Sequence, residues 1–283
     1  MLDCTIVDTH VHLWDLNKLR YPWLDDNEFL NHSFLLDEYN KATSQYQVEK
    51  MIFMQCECDP SQHLQEVAFA TELAKIDERI KGIIPWAPLE LGNGVEEELD
   101  SLSKNSLVKG IRRIIQFEED LEFCLKEDFI KGVNLLPKYN FTFDICIDYR
   151  HNQNVLKFID KCENVNFILD HIGKPNIRGK EIEQWSKEIK EFAKFPNVHC
   201  KVSSIATEAD HKNWTVEELK PYSDCIFENF GFDRTIFAGD WPVSTQAATY
   251  STSVETLLEL IKGSTKEERY KLFHANAEKF YNV

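Results

Sequence analysis

Thr5-Ile6-Val7-Asp8-Thr9-His10-Val11-His12 is the stretch on which the fold turns. Its first residues are rich in β-branched side chains, which predicts a strand over 5–9. A doubly wound sheet would usually follow its first strand with a glycine-rich G-x-G-x-x-G turn, whereas this chain continues Asp8-Thr9-His10-Val11-His12. Working outward, short apolar runs recur at 50–55, 80–86, 107–112, 141–147, 165–170, 197–202 and 235–239. Between them lie amphipathic stretches such as 62–78, with Leu64, Val67, Ala68, Thr71 and Ala74 on one stripe, and 153–162, with Val155, Phe158 and Ile159. Eight strands alternating with helices predict an α/β fold, a single (β/α)8 TIM barrel in which residues 1–283 form one domain. The aromatic-rich segment from Trp14 to about Asn40 reads as a long loop insertion after strand 1, with short helices, covering one barrel end.

The composition suits a core of that size, with 43% hydrophobic and 12% aromatic residues. A net charge of −16 excludes recognition of nucleic acid through a global basic field. No apolar run approaches the ~18 residues of a membrane span, and Met1-Leu2-Asp3-Cys4 lacks the start of a signal peptide, so a cytoplasmic protein with no membrane partner is expected. The eight cysteines have no paired Cys-x-x-Cys spacing and are expected as buried, reduced thiols; a soft-metal role for Cys56 and Cys58, which bracket Glu57, is the alternative. Phe227, Phe230 and Phe232 around Gly231 suit either a dimer patch or helix packing, leaving monomer and homodimer both open.

In such a barrel the active site lies where the C-terminal ends of the strands meet the loops. His10 and His12, two residues apart on an extended chain, project to the same side and suit two imidazole ligands of one metal, with Asp8 as an acidic neighbour to orient a ring. Strand six ends in Asp170-His171 and strand eight in Gly239-Asp240, which places His171 and Asp240 on the same rim. A helix N-cap is the structural alternative for Asp240. Of Arg112 and Arg113, alternation lets only one face inward. Lys201 either reaches the mouth or pairs at the rim, and Trp14, Tyr21, Trp23 and Trp241 form either a wall against substrate or packing for the insertion.

Taken in order, Asp8-Thr9-His10-Val11-His12 with Trp14, Tyr21-Pro22-Trp23-Leu24, Gly110-Ile111-Arg112-Arg113, Asp170-His171-Ile172-Gly173-Lys174-Pro175, Cys200-Lys201-Val202-Ser203, Gly239-Asp240-Trp241-Pro242 and the ending His274-Ala275-Asn276-Ala277-Glu278-Lys279-Phe280-Tyr281 resemble the amidohydrolase superfamily. The resemblance is to its lactonase branch, which includes L-fuconolactone and L-rhamnonolactone hydrolases, with 2-pyrone-4,6-dicarboxylate lactonase among their relatives. It covers essentially the whole chain, and it implies hydrolysis of a small-molecule lactone, of the L-fucono- or L-rhamnonolactone type. Asp240 is then expected as general base and metal ligand, with His10 and His12 holding one divalent ion, zinc foremost, or addressing the carbonyl oxygen directly in a metal-free site. His171 orients the water or completes the ligand set, Glu57 is an extra ligand or a substrate contact, and Arg112, Trp14, Trp23, Lys201 and Trp241 contact substrate.

Two departures bear on this. The carboxylated lysine of binuclear members has no counterpart at strand four, which reads Gly110-Ile111-Arg112-Arg113, so a bridged two-metal site is not expected. The strand-five histidine is also absent, with His151 further along as a remote substitute. That absence weighs against the alternative on the same barrel, zinc-dependent non-oxidative decarboxylation of an aromatic or unsaturated acid. A non-enzymatic sugar-acid binder is the third reading, opposed by the joint presence of His10, His12, His171 and Asp240.

Overall fold

A computed structural model describes residues 2–283. Its strands are β1 (Ile6–Val11), β2 (Val48–Met54), β3 (Ile80–Ile84), β4 (Gly110–Ile111), β5 (Thr142–Ile145), β6 (Phe167–Leu169), β7 (Val198–Val202) and β8 (Thr235–Phe237). The helices are α1 (Leu36–Ala42), α2 (His63–Ile76), α3 (Glu96–Leu102), α4 (Glu127–Asn134), α5 (Asn152–Asp160), α6 (Glu183–Phe192), α7 (Val216–Phe230), α8 (Tyr250–Leu260), α9 (Lys266–Tyr270) and α10 (Asn276–Tyr281). Neighbouring strands pair in parallel, β1-β2-β3 in one group and β4 to β8 in the other. Two bridges join the groups at both edges, Ile83 with Val108 and Val11 with Trp241. The His12 N–H donates to the Trp241 carbonyl at 2.8 Å, and that of Ile83 to the Leu107 carbonyl at 2.7 Å. The eight strands thus close on themselves, as the alternation of the sequence predicts.

Several strands are shorter than their apolar runs, because the chain leaves the ladder early. After β6, residues 171 to 174 all have positive φ, and after β8 so does Asp240. Alternation sorts the core into two parts. Val7, Ile52, Met54, Ile84, Ile168 and Ile236 fill the barrel interior together with Ala277 and Tyr281 of α10. Their strand neighbours, among them Ile6, Phe53, Phe167 and Phe237, pack with the residues of the surrounding helices. Lys50, near the start of β2, donates to the Val283 carbonyl at 3.1 Å, so α10 seals the end of the barrel opposite the mouth.

Some sequence expectations need correcting. The buried face of α2 is Glu66, Val67, Phe69, Ala70 and Leu73, while Leu64 and Ala68 are exposed. Burying the larger Phe69 and Leu73 removes more apolar area from water, and the helix is rotated accordingly. The insertion after β1 contains a bridge between Trp14 and Phe34, a 3-10 turn at Pro22–Leu24 and the start of α1, which continues past Asn40 to Ala42. Phe230 is buried, and the half-buried Phe227 and Phe232 stack on one another with centroids 4.6 Å apart against the core. All eight cysteines are free thiols. No helix among the described residues is long and apolar enough to cross a membrane.

Candidate active site

The site begins with an irregularity in β1. Val7 points into the barrel, so strict alternation would turn residues 8, 10 and 12 outward. The register of β1 against β2 shifts between Asp8 and Val11. Asp8 therefore stays outside the barrel interior while His10 and His12 turn in. Its carboxylate accepts from the Gly239 N–H at 2.7 Å, from the Tyr39 and Tyr250 hydroxyls at 2.9 and 3.0 Å, and from the His10 N–H at 3.2 Å. It clamps β1 to the end of β8 and does not touch an imidazole, contrary to its expected role.

Four side chains converge where the strands end. His10 Nε2 lies 3.1 Å from His12 Nε2, and each lies 3.5 Å from Asp240 Oδ1. His171 Nε2 is 4.0 Å from the same oxygen. His12 Nδ1 donates to the Met54 carbonyl at 3.0 Å, which leaves its Nε2 as a bare lone pair in the neutral ring. Arg112 donates to His10 Nε2 at 3.2 Å, so that nitrogen is an acceptor as well. His171 Nδ1 is held 2.8 Å from Ser203 Oγ. Asp240 also accepts from the Ser204 hydroxyl and caps no helix.

The protonation states suit a cation. Burial depresses all three imidazoles, His171 to about 4 and His10 well below its ordinary value, so they are neutral near pH 7. Burial opposes the charge of Asp240, but the positive charge that the imidazoles, His171 foremost, take up as they protonate in acid outweighs it and holds the carboxyl well below the usual range, so Asp240 is ionised at neutral pH. The Nε2 lone pairs of His10 and His12 and the Asp240 carboxylate thus converge on one point, where the Arg112 N–H donates to the first of them. That donor set fits a divalent ion, which His10, His12 and Asp240 could hold, with outer partners fixing the rings.

Beneath the mouth lies a charged floor. Lys201 of β7 is fully buried, its Nζ 2.5 Å from Asp144 Oδ2, 2.9 Å from Asp170 Oδ1 and 3.4 Å from His10 Nδ1. The Tyr281 hydroxyl donates to Asp144 at 2.7 Å. His10, Asp170 and His171 form a second group of cation ligands, and the ammonium of Lys201 already neutralises it. Lys201 is accordingly neither a rim residue nor a lining residue of the cavity, because alternation and its depth in β7 direct it into this network.

Above the four residues opens a cavity of about 340 Å³, bordered by His12, His171, Asp240, Arg112, Glu57 and Trp23 among others. Arg112 is buried, donating to the Gln55 carbonyl at 2.7 Å, while Arg113 turns away to pair with Glu90 and Glu118. Glu57 borders the cavity but belongs to neither cation-ligand group, its carboxylate accepting from Gln55 Nε2 at 2.7 Å. Trp14 and Trp241 do not border the cavity: both are buried against Phe34, where the hydrophobic effect pins the insertion to the barrel. His151 is buried beside Asp148, outside both ligand groups. Cys56, Cys58 and Cys146 line the cavity as thiols that burial pushes upward, and none joins a ligand group. Behind Cys56, the buried carboxyl of Glu66 accepts the Cys56 N–H at 3.0 Å, and burial raises its pKa to about 8.

Sequence reasoning assigned no role to Lys174 and Gln116, which line the cavity, or to Asp144 in the floor. For Asp144 a signal exists, an acid inside the apolar run Phe141-Thr142-Phe143-Asp144-Ile145.

A closed parallel barrel with imidazoles and an aspartate gathered at the strand ends has the layout of a barrel hydrolase. The chain belongs to the amidohydrolase family, which residues 7–283 match. An L-fucono-1,5-lactonase of Burkholderia multivorans is 27% identical, with 97% of this chain and 95% of the relative aligned. An L-rhamnono-gamma-lactonase of Scheffersomyces stipitis is also 27% identical, with 98% of each aligned. A crystal structure of a Burkholderia multivorans amidohydrolase with bound zinc is 25% identical and superimposes with a TM-score of 0.89 over 99% of this chain and 100% of that one.

Proposed function

We propose that the protein opens the ring of a sugar-acid lactone, a small molecule of the L-fucono- or L-rhamnonolactone type, by adding water to the ester carbonyl. The observation that carries this reading is the convergence of His10, His12, His171 and Asp240 on one point at the end of the cavity. The names of the two lactonase relatives support the reaction class, and the zinc of the crystal structure supports one divalent ion, zinc foremost, on His10, His12 and Asp240. Such an ion, when bound, polarises the carbonyl and acidifies water.

The chain's own groups do the rest. Asp240, ionised at neutral pH, takes a proton from the attacking water as its oxygen bonds to the carbonyl carbon. The same carboxyl then returns the proton to the ring oxygen as the acyl C–O bond breaks. His171, fixed through Nδ1 by Ser203, directs Nε2 toward Asp240 and orients the water. Arg112, always charged, faces the cavity beside His10 and stabilises negative charge developing on the carbonyl oxygen. The product is the open hydroxy acid, which releases a proton near pH 7.

The test is proton release from a panel of aldonolactones led by L-fucono- and L-rhamnonolactone, on purified protein before and after chelation and after zinc is restored. Hydrolysis abolished by chelator and regained with zinc is the expected result. No turnover above the spontaneous rate across the panel overturns the reading.

A further inference from the structure

The loop after β6 takes an unusual path. His171, Ile172, Gly173 and Lys174 have φ of 52°, 51°, 72° and 41°, four consecutive residues in the left-handed region, three of them with a Cβ. Residues with side chains rarely adopt such a run, and it persists only where the surroundings enforce it. Here they do. Ile172 is buried in the core with its carbonyl accepting the Trp185 indole N–H at 3.0 Å, and the Lys174 N–H returns to the His171 carbonyl at 2.9 Å. The outcome is one turn in which His171 and Lys174 both face the cavity.

Lys174 forms no ion pair among the described residues. Its one side-chain partner there is Gln116, whose Oε1 accepts from Nζ at 2.7 Å, and whose backbone N–H is anchored to the Cys146 carbonyl at 3.1 Å. An ammonium has three N–H groups, so two remain to be satisfied from the cavity. Glu57, also on the cavity wall, offers carboxylate oxygens as acceptors. Other parts of the lining are apolar, with Trp23, Ile114, Phe117 and Val243. A cavity with charged donors and acceptors on some walls and apolar surface on others matches a ring that carries hydroxyls at its edge and C–H bonds on its face.

We propose that Lys174, held by Gln116, is a specificity-determining residue that donates to ring hydroxyl oxygens of a polyhydroxylated lactone, an inference that rests on the lactonase reading above. The test compares the protein with Lys174→Met and Gln116→Leu on the hydroxylated lactone it turns over best. The reference ligand is a lactone of the same ring size without ring hydroxyls, its Ki measured by competition. Lys174→Met is expected to lower kcat/KM on the hydroxylated lactone by about 10- to 100-fold, chiefly through KM, and to leave the Ki of the bare lactone within about threefold. Gln116→Leu should follow the same pattern with a smaller loss, and it carries the test if Lys174→Met does not fold. Equal weakening toward both ligands, or no weakening toward either, overturns the proposal while the lactonase reading stands. Absence of turnover on every lactone by the unsubstituted protein removes that reading and this proposal together.

Discussion

Glu66→Gln should make the protein more stable, by an amount that grows with pH. Glu66 lies on the buried face of α2, where its carboxyl accepts the Cys56 N–H and forms no ion pair within 4 Å among the described residues; burial outweighs the more distant charge of Arg112. Burial lifts its pKa from 4.5 to about 8, so the folded protein holds this proton across a range where the unfolded chain has released it. The stabilisation from the protonated group is therefore complete below about pH 4.5 and drains away as pH rises through 8, at about 1.4 kcal/mol per pH unit. Between pH 5 and pH 7 the loss is about 3 kcal/mol. Glutamine keeps the carbonyl acceptor for Cys56 and has no proton to lose. The offset between the variant and its parent, measured by urea unfolding at both pH values, should grow in the variant's favour by about 3 kcal/mol, since every other titrating group is common to the two. An offset equal at pH 5 and pH 7 to within about 0.5 kcal/mol would refute a protonated Glu66 in the folded state.

Three further outcomes are expected. Asp240→Asn should lower kcat about 10³-fold in the lactone assay, with a far-UV circular dichroism melt close to the parent's; retained turnover removes Asp240 from the base role. Arg112→Ala should lose about 10²-fold in kcat/KM, and Arg113→Ala, whose partners lie away from the cavity, less than about threefold; the reverse ranking contradicts the inward placement of Arg112. In Gly239→Ala the new methyl would come within 2.6 Å of Tyr250 Cε2 and press on the Asp8 carboxylate, so the urea midpoint should fall by the equivalent of about 1–3 kcal/mol; an unchanged midpoint denies that close packing at the β1–β8 seam.

The barrel was legible because each strand carries an apolar run and each connection a helical stripe, and His10, His12, His171 and Asp240 each lie at a strand end. Which way a residue faces was harder to read. Spacing alone places His10 and His12 on one side, but the irregularity in β1 that turns them inward depends on pairing with β2, which no local pattern encodes. Alternation could direct Lys201 inward but not set its depth, so a residue expected near the mouth sits in the floor against Asp144 and Asp170. Trp14 and Trp241 look alike in sequence to Trp23, yet only Trp23 borders the cavity, because the path of the insertion decides which indole is covered. Lys174 escaped notice because its exposure to the cavity requires a left-handed turn, and three of that turn's four residues have side chains that normally disfavour it.

The division of labour between strands and loops has an evolutionary consequence. The reacting groups are anchored at the ends of β1, β6 and β8 and tied to the charged floor beneath. Much of the cavity wall comes instead from the insertion after β1 and from the stretches following β2 and β4, through Trp23, Glu57, Ile114 and Phe117. Replacing wall residues leaves the bonds that fix the imidazoles intact, so a lineage can explore new ring substituents one loop at a time without passing through an inactive ancestor. Change in the floor has less freedom: Lys201 pairs with both Asp144 and Asp170, Tyr281 donates to Asp144, and altering one of the charged members leaves another charge buried without its partner.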